Sequence, residues 1–156
     1  MRTRRVLAII ATLSLGVGAC SSTGATASPA APSAASGTAV KVTLQEWAVS
    51  ADVTTAPAGA VTFTATNNGP EDIHEFVVIK TDLSLTELPT DATGAVDEAG
   101  GNMTVSGEIE DIAVGASGDL TLTLDPGAYV LICNIYDEAE KEAHYQLGMR
   151  ASFTVQ

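Results

Sequence analysis

Short runs in which apolar and polar residues alternate make up much of the chain beyond residue 40. Val40, Val42 and Leu44 alternate with polar residues, and the stretch 61–66 repeats the same period of two. Because successive side chains of a β-strand point to opposite faces, this period predicts strands with one buried face. The run from Ile73 to Lys80 is apolar on both faces, so we expect a central strand there.

The second half of the chain continues this pattern. Residues 119–125 alternate and are predicted to form a hairpin with residues 128–134 through a Pro-Gly turn, and residues 151–155 form a last strand. The stretch 81–107 fits less well, and we expect one helical turn near its start and irregular structure elsewhere. Seven or eight short strands without a long helix predict an all-β fold, an antiparallel Greek-key β-sandwich.

The start of the chain has a different composition. A basic head with Arg2, Arg4 and Arg5 precedes an apolar run that is too short to span a bilayer and typical of an export signal. Residues 17–20, Val-Gly-Ala-Cys, resemble the lipobox of bacterial lipoproteins. This resemblance implies cleavage before Cys20 and lipid on its sulfur. The alternative is a plain secretory signal in which this cysteine has no role.

These features divide the chain into three parts. Residues 1–19 are predicted to be a lipoprotein signal peptide. Residues 21–39 contain only Ser, Thr, Gly, Ala and Pro, which cannot bury a core, so the segment 20–39 is predicted to be a flexible tether. Residues 40–156 form the folded domain. We expect this domain to be exported and anchored through Cys20 to the outer face of the cell membrane.

The folded part is strongly acidic. All 19 acidic residues lie beyond the tether, together with only four of the seven basic residues, so this part has a formal charge of −15. Such a charge argues against nucleic acid as a partner and favours a partner protein with a basic docking surface. A surface that only keeps the domain solvated is the alternative. We expect the protein to be a monomer.

Three residues with soft donor atoms follow one another near the C-terminus. They are Cys133, His144 and Met149, with ten and then four residues between them. A thiolate, an imidazole and a thioether form a ligand set that favours copper over hard cations. Lipidation of Cys20 would leave Cys133 as a metal ligand, a reactive thiol or an intermolecular disulfide partner. Each residue by itself would more often be ordinary core.

Three motifs, taken together, resemble the cupredoxins, the blue copper proteins such as plastocyanin. They are NNGPEDIHEF at 67–76, GAYVLIC at 127–133 and HYQLGM at 144–149. The resemblance covers about residues 40–156. It implies one type 1 copper ion with His74, Cys133 and His144 as strong ligands and Met149 as the weak axial ligand. Such a site exchanges one electron with little rearrangement.

Two features depart from the cupredoxin pattern. Glu75 stands directly after the first histidine, where many of these proteins have an asparagine that ties the ligand loops together. We hypothesise that Asn134 provides the amide and bonds to Glu75. The gap between Cys133 and His144 is longer than in plastocyanin. It contains four acidic residues, Asp137, Glu138, Glu140 and Glu142.

The resemblance implies a lipid-anchored carrier of single electrons, which would pass them to a redox partner through the exposed edge of His144. One alternative is a protein that captures or delivers copper without an electron-transfer role. A metal-free sandwich used for surface interaction is another. An enzyme is not expected, because both histidines of the chain belong to the ligand set and no Ser/His/Asp set remains.

Overall fold

The computed structural model describes residues 37–156 of the chain. The predicted signal peptide at residues 1–19, the predicted lipidation site Cys20 and most of the predicted tether lie outside this range. The first strand, β1 (Thr38–Gln45), begins two residues before the predicted start of the folded part. No helix in the described range is long and apolar enough to cross a membrane.

Strands dominate the described range, and one short helix lies near its C-terminal end. In chain order the elements are β1 (Thr38–Gln45), β2 (Ala48–Ala51), β3 (Thr55–Ala56), β4 (Gly59–Asn67), β5 (His74–Thr81), β6 (Met103–Ile112), β7 (Ser117–Leu124), β8 (Gly127–Ile132), β9 (Tyr136–Asp137), β10 (Glu142–Ala143), α1 (His144–Leu147) and β11 (Arg150–Val155). The apolar positions of the alternating runs are the buried positions of these strands. Val40, Val42 and Leu44 of β1 are at most 1% exposed.

Two sheets pack on each other as a sandwich. One has the strand order β2-β1-β4-β7, and the other has the order β3-β11-β8-β5-β6. One apolar cluster draws residues from both sheets. At its centre the ring of Phe63 on β4 lies 5.4 Å from the rings of Phe76 on β5 and Phe153 on β11, measured between centroids. The all-β sandwich predicted from the sequence is confirmed.

Strand pairing is mixed, whereas the sequence led us to expect antiparallel pairs throughout. β1 and β4 are parallel, with Val40 opposite Phe63, and β3 and β11 are also parallel. The other pairs in the two sheets are antiparallel. Side chains alternate between the two faces in both kinds of pair, so the hydrophobic pattern does not distinguish them.

The hairpin predicted between residues 119–125 and 128–134 is wrong. β7 pairs with β4 in one sheet, whereas β8 pairs with β5 and β11 in the other. The chain therefore crosses between the sheets at Asp125 and Pro126. The Tyr129 hydroxyl donates to the Asp125 carbonyl at 2.8 Å, a tyrosine corner of the kind found in other sandwiches. A Pro-Gly pair predicts a turn but not which sheet follows it.

The stretch 81–107 is irregular as predicted, except that β6 begins within it at Met103. Near its start the chain makes a single turn, in which the Glu87 N–H donates to the Ser84 carbonyl at 2.9 Å. A second apolar cluster holds this insertion against β5 and β8. It contains Val77, Ile79, Leu88, Val96, Val130, Ile132 and Tyr145. The insertion thus covers the second face of β5, which explains why that strand is apolar on both faces.

Candidate metal centre

Three donor atoms from three separate segments meet in the interior. His74 opens β5, Cys133 follows β8 and His144 opens α1. The two imidazole Nδ1 atoms are 3.3 Å apart. Cys133 Sγ lies 3.4 Å from His144 Nδ1 and 3.9 Å from His74 Nδ1. Each of the three residues is at most 1% exposed. The structure therefore brings together the three residues for which the resemblance implies the role of strong ligand.

Pairing between β5 and β8 brings His74 and Cys133 to the same end of the sheet. The two strands are antiparallel neighbours, with Val77 opposite Ile132. His74 precedes Val77 and Cys133 follows Ile132, so both lie beyond the last pair at one end. There the Glu75 N–H donates to Cys133 Sγ at 3.3 Å. A backbone donor on the β5 strand thus fixes the position of the sulfur.

The long gap between Cys133 and His144 folds back on itself. β9 and β10 pair as a short antiparallel hairpin, and the Asp137 carboxylate accepts two backbone N–H groups in the turn. Because this hairpin closes, its two ends are neighbours, and the His144 N–H donates to the Ile135 carbonyl at 2.9 Å. The extra residues therefore lengthen the hairpin without separating Cys133 from His144.

Met149 is tied to both of these residues through its backbone. Its N–H donates to the His144 carbonyl at 3.1 Å, and its carbonyl accepts the Cys133 N–H at 3.1 Å. The Met149 side chain is fully buried in the apolar cluster that also contains Cys133. Gly148, with φ at 125°, reverses the chain between α1 and β11, a conformation that favours glycine.

The donor set fits a metal ion. Burial lowers the pKa of both imidazoles, and the nearby His144 ring lowers that of His74 further, so both rings are neutral near pH 7. A neutral imidazole has one lone pair to offer. In a trigonal site with bonds of about 2.0 Å to nitrogen and about 2.3 Å to sulfur, the ligand atoms would be about 3.5 to 3.7 Å apart. The observed separations are close to these values.

The Cys133 thiol holds its proton in the metal-free protein. Burial raises its pKa to about 11, although the backbone N–H groups of Glu75 and Ile135 oppose this shift. A cation at the site would favour the thiolate, because it supplies the positive charge that the buried pocket lacks. Metal binding would therefore release this proton.

His144 is buried, contrary to the exposed edge expected from the sequence. The residue is 1% exposed, and its ring packs edge-on against Trp47, with 4.9 Å between centroids. It lines an open groove on the surface together with Ile73, which is 50% exposed. We name this the acidic groove, because five carboxylates also line it. They are Glu71, Asp72, Asp111, Asp137 and Glu138.

The hypothesis that the Asn134 amide bonds to Glu75 is wrong. Asn134 Nδ2 donates to the Val96 carbonyl at 3.0 Å and to Glu98 Oε1 at 2.9 Å, and Asn134 Oδ1 accepts the Val96 N–H at 2.6 Å. The Glu75 carboxylate accepts the backbone N–H of Asn134 instead. Val96 and Glu98 belong to the irregular insertion, whose path the sequence pattern did not predict.

Glu75 belongs to a cluster of carboxylates that sequence reasoning missed. Carboxylate oxygens of Glu75, Glu98 and Glu108 lie within 4.8 Å of one another. Burial raises the pKa of Glu75 to about 7, and the negative charges of Glu98, Glu108 and Glu110 contribute to the same shift. β5–β6 pairing places Glu108 beside Val77, and Glu98 lies in the irregular insertion, so the cluster forms only through contacts between segments distant in sequence.

Two polar side chains hold the loop that leads into His74. Asn67 is fully buried, donates from Nδ2 to the Asp72 carbonyl at 2.8 Å and accepts the Gly69 N–H at 2.8 Å. From the opposite side, Glu46 accepts the Asp72 N–H at 2.9 Å. The sequence predicted a turn at this position, but neither of these partners.

Solved structures with the same fold include two auracyanins and a rusticyanin. An auracyanin from the photosynthetic bacterium Roseiflexus castenholzii has 25% identity and a TM-score of 0.55, and the match covers 76% of this chain and 97% of the auracyanin. Auracyanin A from Chloroflexus aurantiacus, a "blue" copper protein, has 20% identity and a TM-score of 0.51 over 76% and 98% of the two chains. Rusticyanin has 19% identity and a TM-score of 0.53 over 78% and 81%.

No protein-family model matches the sequence, and none of the curated protein sequences matches it significantly.

Because the Cys133 thiol is buried and protonated, we expect it to react slowly with alkylating reagents. In a Cys20→Ser variant, which leaves Cys133 as the only cysteine, we expect iodoacetamide to modify the metal-free native protein at pH 8 at least about a hundredfold more slowly than a free thiol. The reason is that thiolate is scarce and reagent access is blocked. Mass spectrometry over time measures the rate, and the same variant in denaturant is the control. Equal rates in the two states would contradict the buried site.

Proposed function

We propose that this chain, which has the cupredoxin fold and a His–Cys–His group that matches a type 1 copper site, carries single electrons. His74, Cys133 and His144 would be the strong ligands, and Met149 would be the weak axial ligand. The observation that carries the proposal is the convergence of two imidazole nitrogens and one sulfur within 3.9 Å in the interior. Copper bound there would take up and release one electron.

The surroundings of these residues favour a site that changes little in shape between oxidation states. His74 and Cys133 are held by neighbouring strands, and His144 by the closed β9–β10 hairpin. Backbone hydrogen bonds from Met149 to both Cys133 and His144 hold the fourth residue of the group in place. A rigid ligand set lowers the rearrangement that accompanies each electron transfer, which suits a carrier.

Burial of the donor atoms favours an electron carrier over a copper-delivery protein. Delivery requires a second protein to contact the ligands, and all three residues are at most 1% exposed. Electron transfer needs no such contact, because a partner in the acidic groove would already lie next to His144. We expect no enzymatic activity, since both histidines of the chain lie in this one group.

We further propose that the acidic groove receives a redox partner with a basic surface. Five carboxylates line it, and the exposed Ile73 adds an apolar contact beside His144. A concentration of one sign of charge around a docking site speeds encounter with an oppositely charged partner, and salt weakens this effect.

The sequence before the domain supports an extracytoplasmic, lipid-anchored location. The basic head, the apolar run and the motif ending at Cys20 fit a lipoprotein signal, and the following Ser/Ala/Thr/Gly/Pro segment fits a tether. A flexible chain with the composition and length of residues 20–39 would have a root-mean-square end-to-end distance of roughly 25 Å. The domain would thus operate close to the membrane surface.

Copper(II) added to the metal-free protein should bind at one ion per chain and produce an intense blue absorption. We expect Cys133→Ser to be colourless, because the colour requires the thiolate, and Met149→Leu to remain coloured with an altered reduction potential. Absorption spectroscopy and metal analysis measure both. A colourless wild-type product, or colour that survives Cys133→Ser, would contradict the assignment.

Salt should affect electron exchange at the acidic groove with opposite sign for cationic and anionic reagents. Oxidation of the reduced protein by a cationic cobalt(III) complex should slow as ionic strength rises, and oxidation by ferricyanide should accelerate. Stopped-flow kinetics measure the rates.

The control for the groove is a matched pair of substitutions. Asp137→Asn removes a charge at the groove, whereas Asp82→Asn removes one beyond the far end of β5, about 25 Å from His74. We expect only Asp137→Asn to reduce the salt dependence. Equal effects of the two substitutions would mean that net charge, rather than the groove, steers the reagent.

Replacement of Cys20 should release the protein from the membrane. Because lipid would be attached to this sulfur, we expect Cys20→Ser to move the chain from the membrane fraction to the soluble exported fraction. Cell fractionation with mass spectrometry of the mature N-terminus measures this. An unlipidated Cys20 in the wild type would contradict the proposal and support a plain secretory signal.

A further inference from the structure

A carboxylate lies on the opposite side of the His74 ring from the other donor atoms. Glu46 Oε1 is 3.7 Å from His74 Nε2, and the Glu46 side chain is only 13% exposed. Across residues 37–156, three buried side-chain nitrogen or oxygen atoms have no hydrogen-bond partner. They are Glu46 Oε2, His74 Nε2 and His144 Nε2. His74 Nε2 thus has no acceptor at hydrogen-bond distance, while the carboxylate next to it has one oxygen, Oε2, without a donor. These two observations point to an interaction between Glu46 and His74.

Backbone groups aim the Glu46 carboxylate. Its Oε1 accepts the Asp72 N–H at 2.9 Å and the Glu71 N–H at 3.4 Å. Gly69 packs against the same carboxylate, and a Cβ at that position would lie 2.5 and 2.6 Å from its two oxygens. The loop before His74 therefore packs directly against the carboxylate and holds one of its oxygens through two N–H groups.

Metal binding through Nδ1 of His74 would require the proton of this ring to be on Nε2. A neutral imidazole carries one N–H, and a ring that binds a metal through Nδ1 must carry it on the other nitrogen. His74 Nδ1 faces His144 Nδ1 and Cys133 Sγ, whereas Nε2 faces Glu46. A movement of about 0.7 Å would bring Nε2 and the carboxylate oxygen to normal hydrogen-bond distance.

We propose that Glu46 is a positioning residue for His74: its carboxylate holds the Nε2–H of the imidazole, so that the Nδ1 lone pair stays directed at the metal site. The same carboxylate accepts N–H groups of the loop formed by residues 69–72, so it links this loop to the His74 ring at the start of β5. The consequence for copper rests on the proposed function, whereas the pairing itself is a property of the metal-free protein.

The test compares the wild type with three variants of the full chain. Glu46→Gln removes the charge and keeps the shape, and Glu46→Ala removes both. Gly69→Ala keeps the carboxylate but displaces it through the added Cβ. The matched control is Glu71→Gln, which removes one charge from an exposed residue of the same loop and leaves the Glu71 N–H in place.

The first measurement is long-range ¹H–¹⁵N NMR on the metal-free protein, where two histidines give a simple spectrum. We expect His74 to be fully in the Nε2–H form in the wild type and in Glu71→Gln. In Glu46→Ala and Gly69→Ala we expect a mixture of tautomers or broadened His74 signals. A wild-type His74 protonated on Nδ1, or a tautomer unchanged in all the variants, would overturn the proposal.

The second measurement is copper(II) affinity by competition with a chelator, together with the reduction potential. We expect about tenfold or greater weakening of copper(II) binding in Glu46→Ala. Glu46→Gln should raise the reduction potential, because the negative charge beside the imidazole favours copper(II). Affinity and potential in both Glu46 variants that equal those of Glu71→Gln would overturn the role of Glu46 at the metal.

The two measurements separate failure of this inference from failure of the proposed function. If the wild type binds no copper, the copper site is refuted, and the NMR result alone decides whether Glu46 holds the tautomer of His74. If Glu46→Ala does not fold, Glu46→Gln and Gly69→Ala supply the comparison.

Discussion

The feature that most constrains this structure is the close approach of three donor atoms in the interior. They are Nδ1 of His74, Nδ1 of His144 and Sγ of Cys133. The one proton of the Cys133 thiol can lie between only two of these three atoms, and lone pairs that face one another without a proton or a cation gain nothing from contact in a low-dielectric space. Their separations of 3.3 to 3.9 Å are therefore maintained by the surrounding fold. The sheet positions His74 and Cys133, and the closed β9–β10 hairpin returns the chain to His144.

The irregular insertion braces this arrangement from outside. Tyr145, one residue after His144, is 2% exposed, and its hydroxyl donates to the Leu85 carbonyl and accepts the Leu88 N–H. Asn134, one residue after Cys133, forms three hydrogen bonds with Val96 and Glu98. The residues that follow His144 and Cys133 in the chain are thus both hydrogen-bonded to a segment without regular secondary structure.

Carboxylates lie both next to the candidate metal centre and on the surface around it. Glu46 lies against the His74 ring, and the carboxylates of the acidic groove lie around His144. Burial raises the pKa of Glu46, but backbone N–H groups and the nearby His74 ring together bring it below its usual value, so Glu46 keeps its charge. Carboxylates near a metal centre stabilise its more positive state, while those at the surface act on charged partners. Negative charge would therefore stabilise the more positive state of the metal centre and also attract a basic partner to the proposed docking surface.

The alternation of apolar and polar residues was enough to predict the all-β fold and the buried faces of the strands, and the cupredoxin-like motifs identified His74, Cys133 and His144 as candidate strong ligands. Strand alternation is a local property, and soft donor atoms are too scarce in this chain to leave many choices. The mixed strand pairing, the sheet crossing at Pro126, the burial of His144 and the partners of Asn134 could be seen only in the folded chain. Each of these depends on which distant segments meet, and a hydrophobic pattern does not specify that. Glu46 is the clearest example, because it is 28 residues from His74 in sequence and reaches its ring only through the packing of two loops.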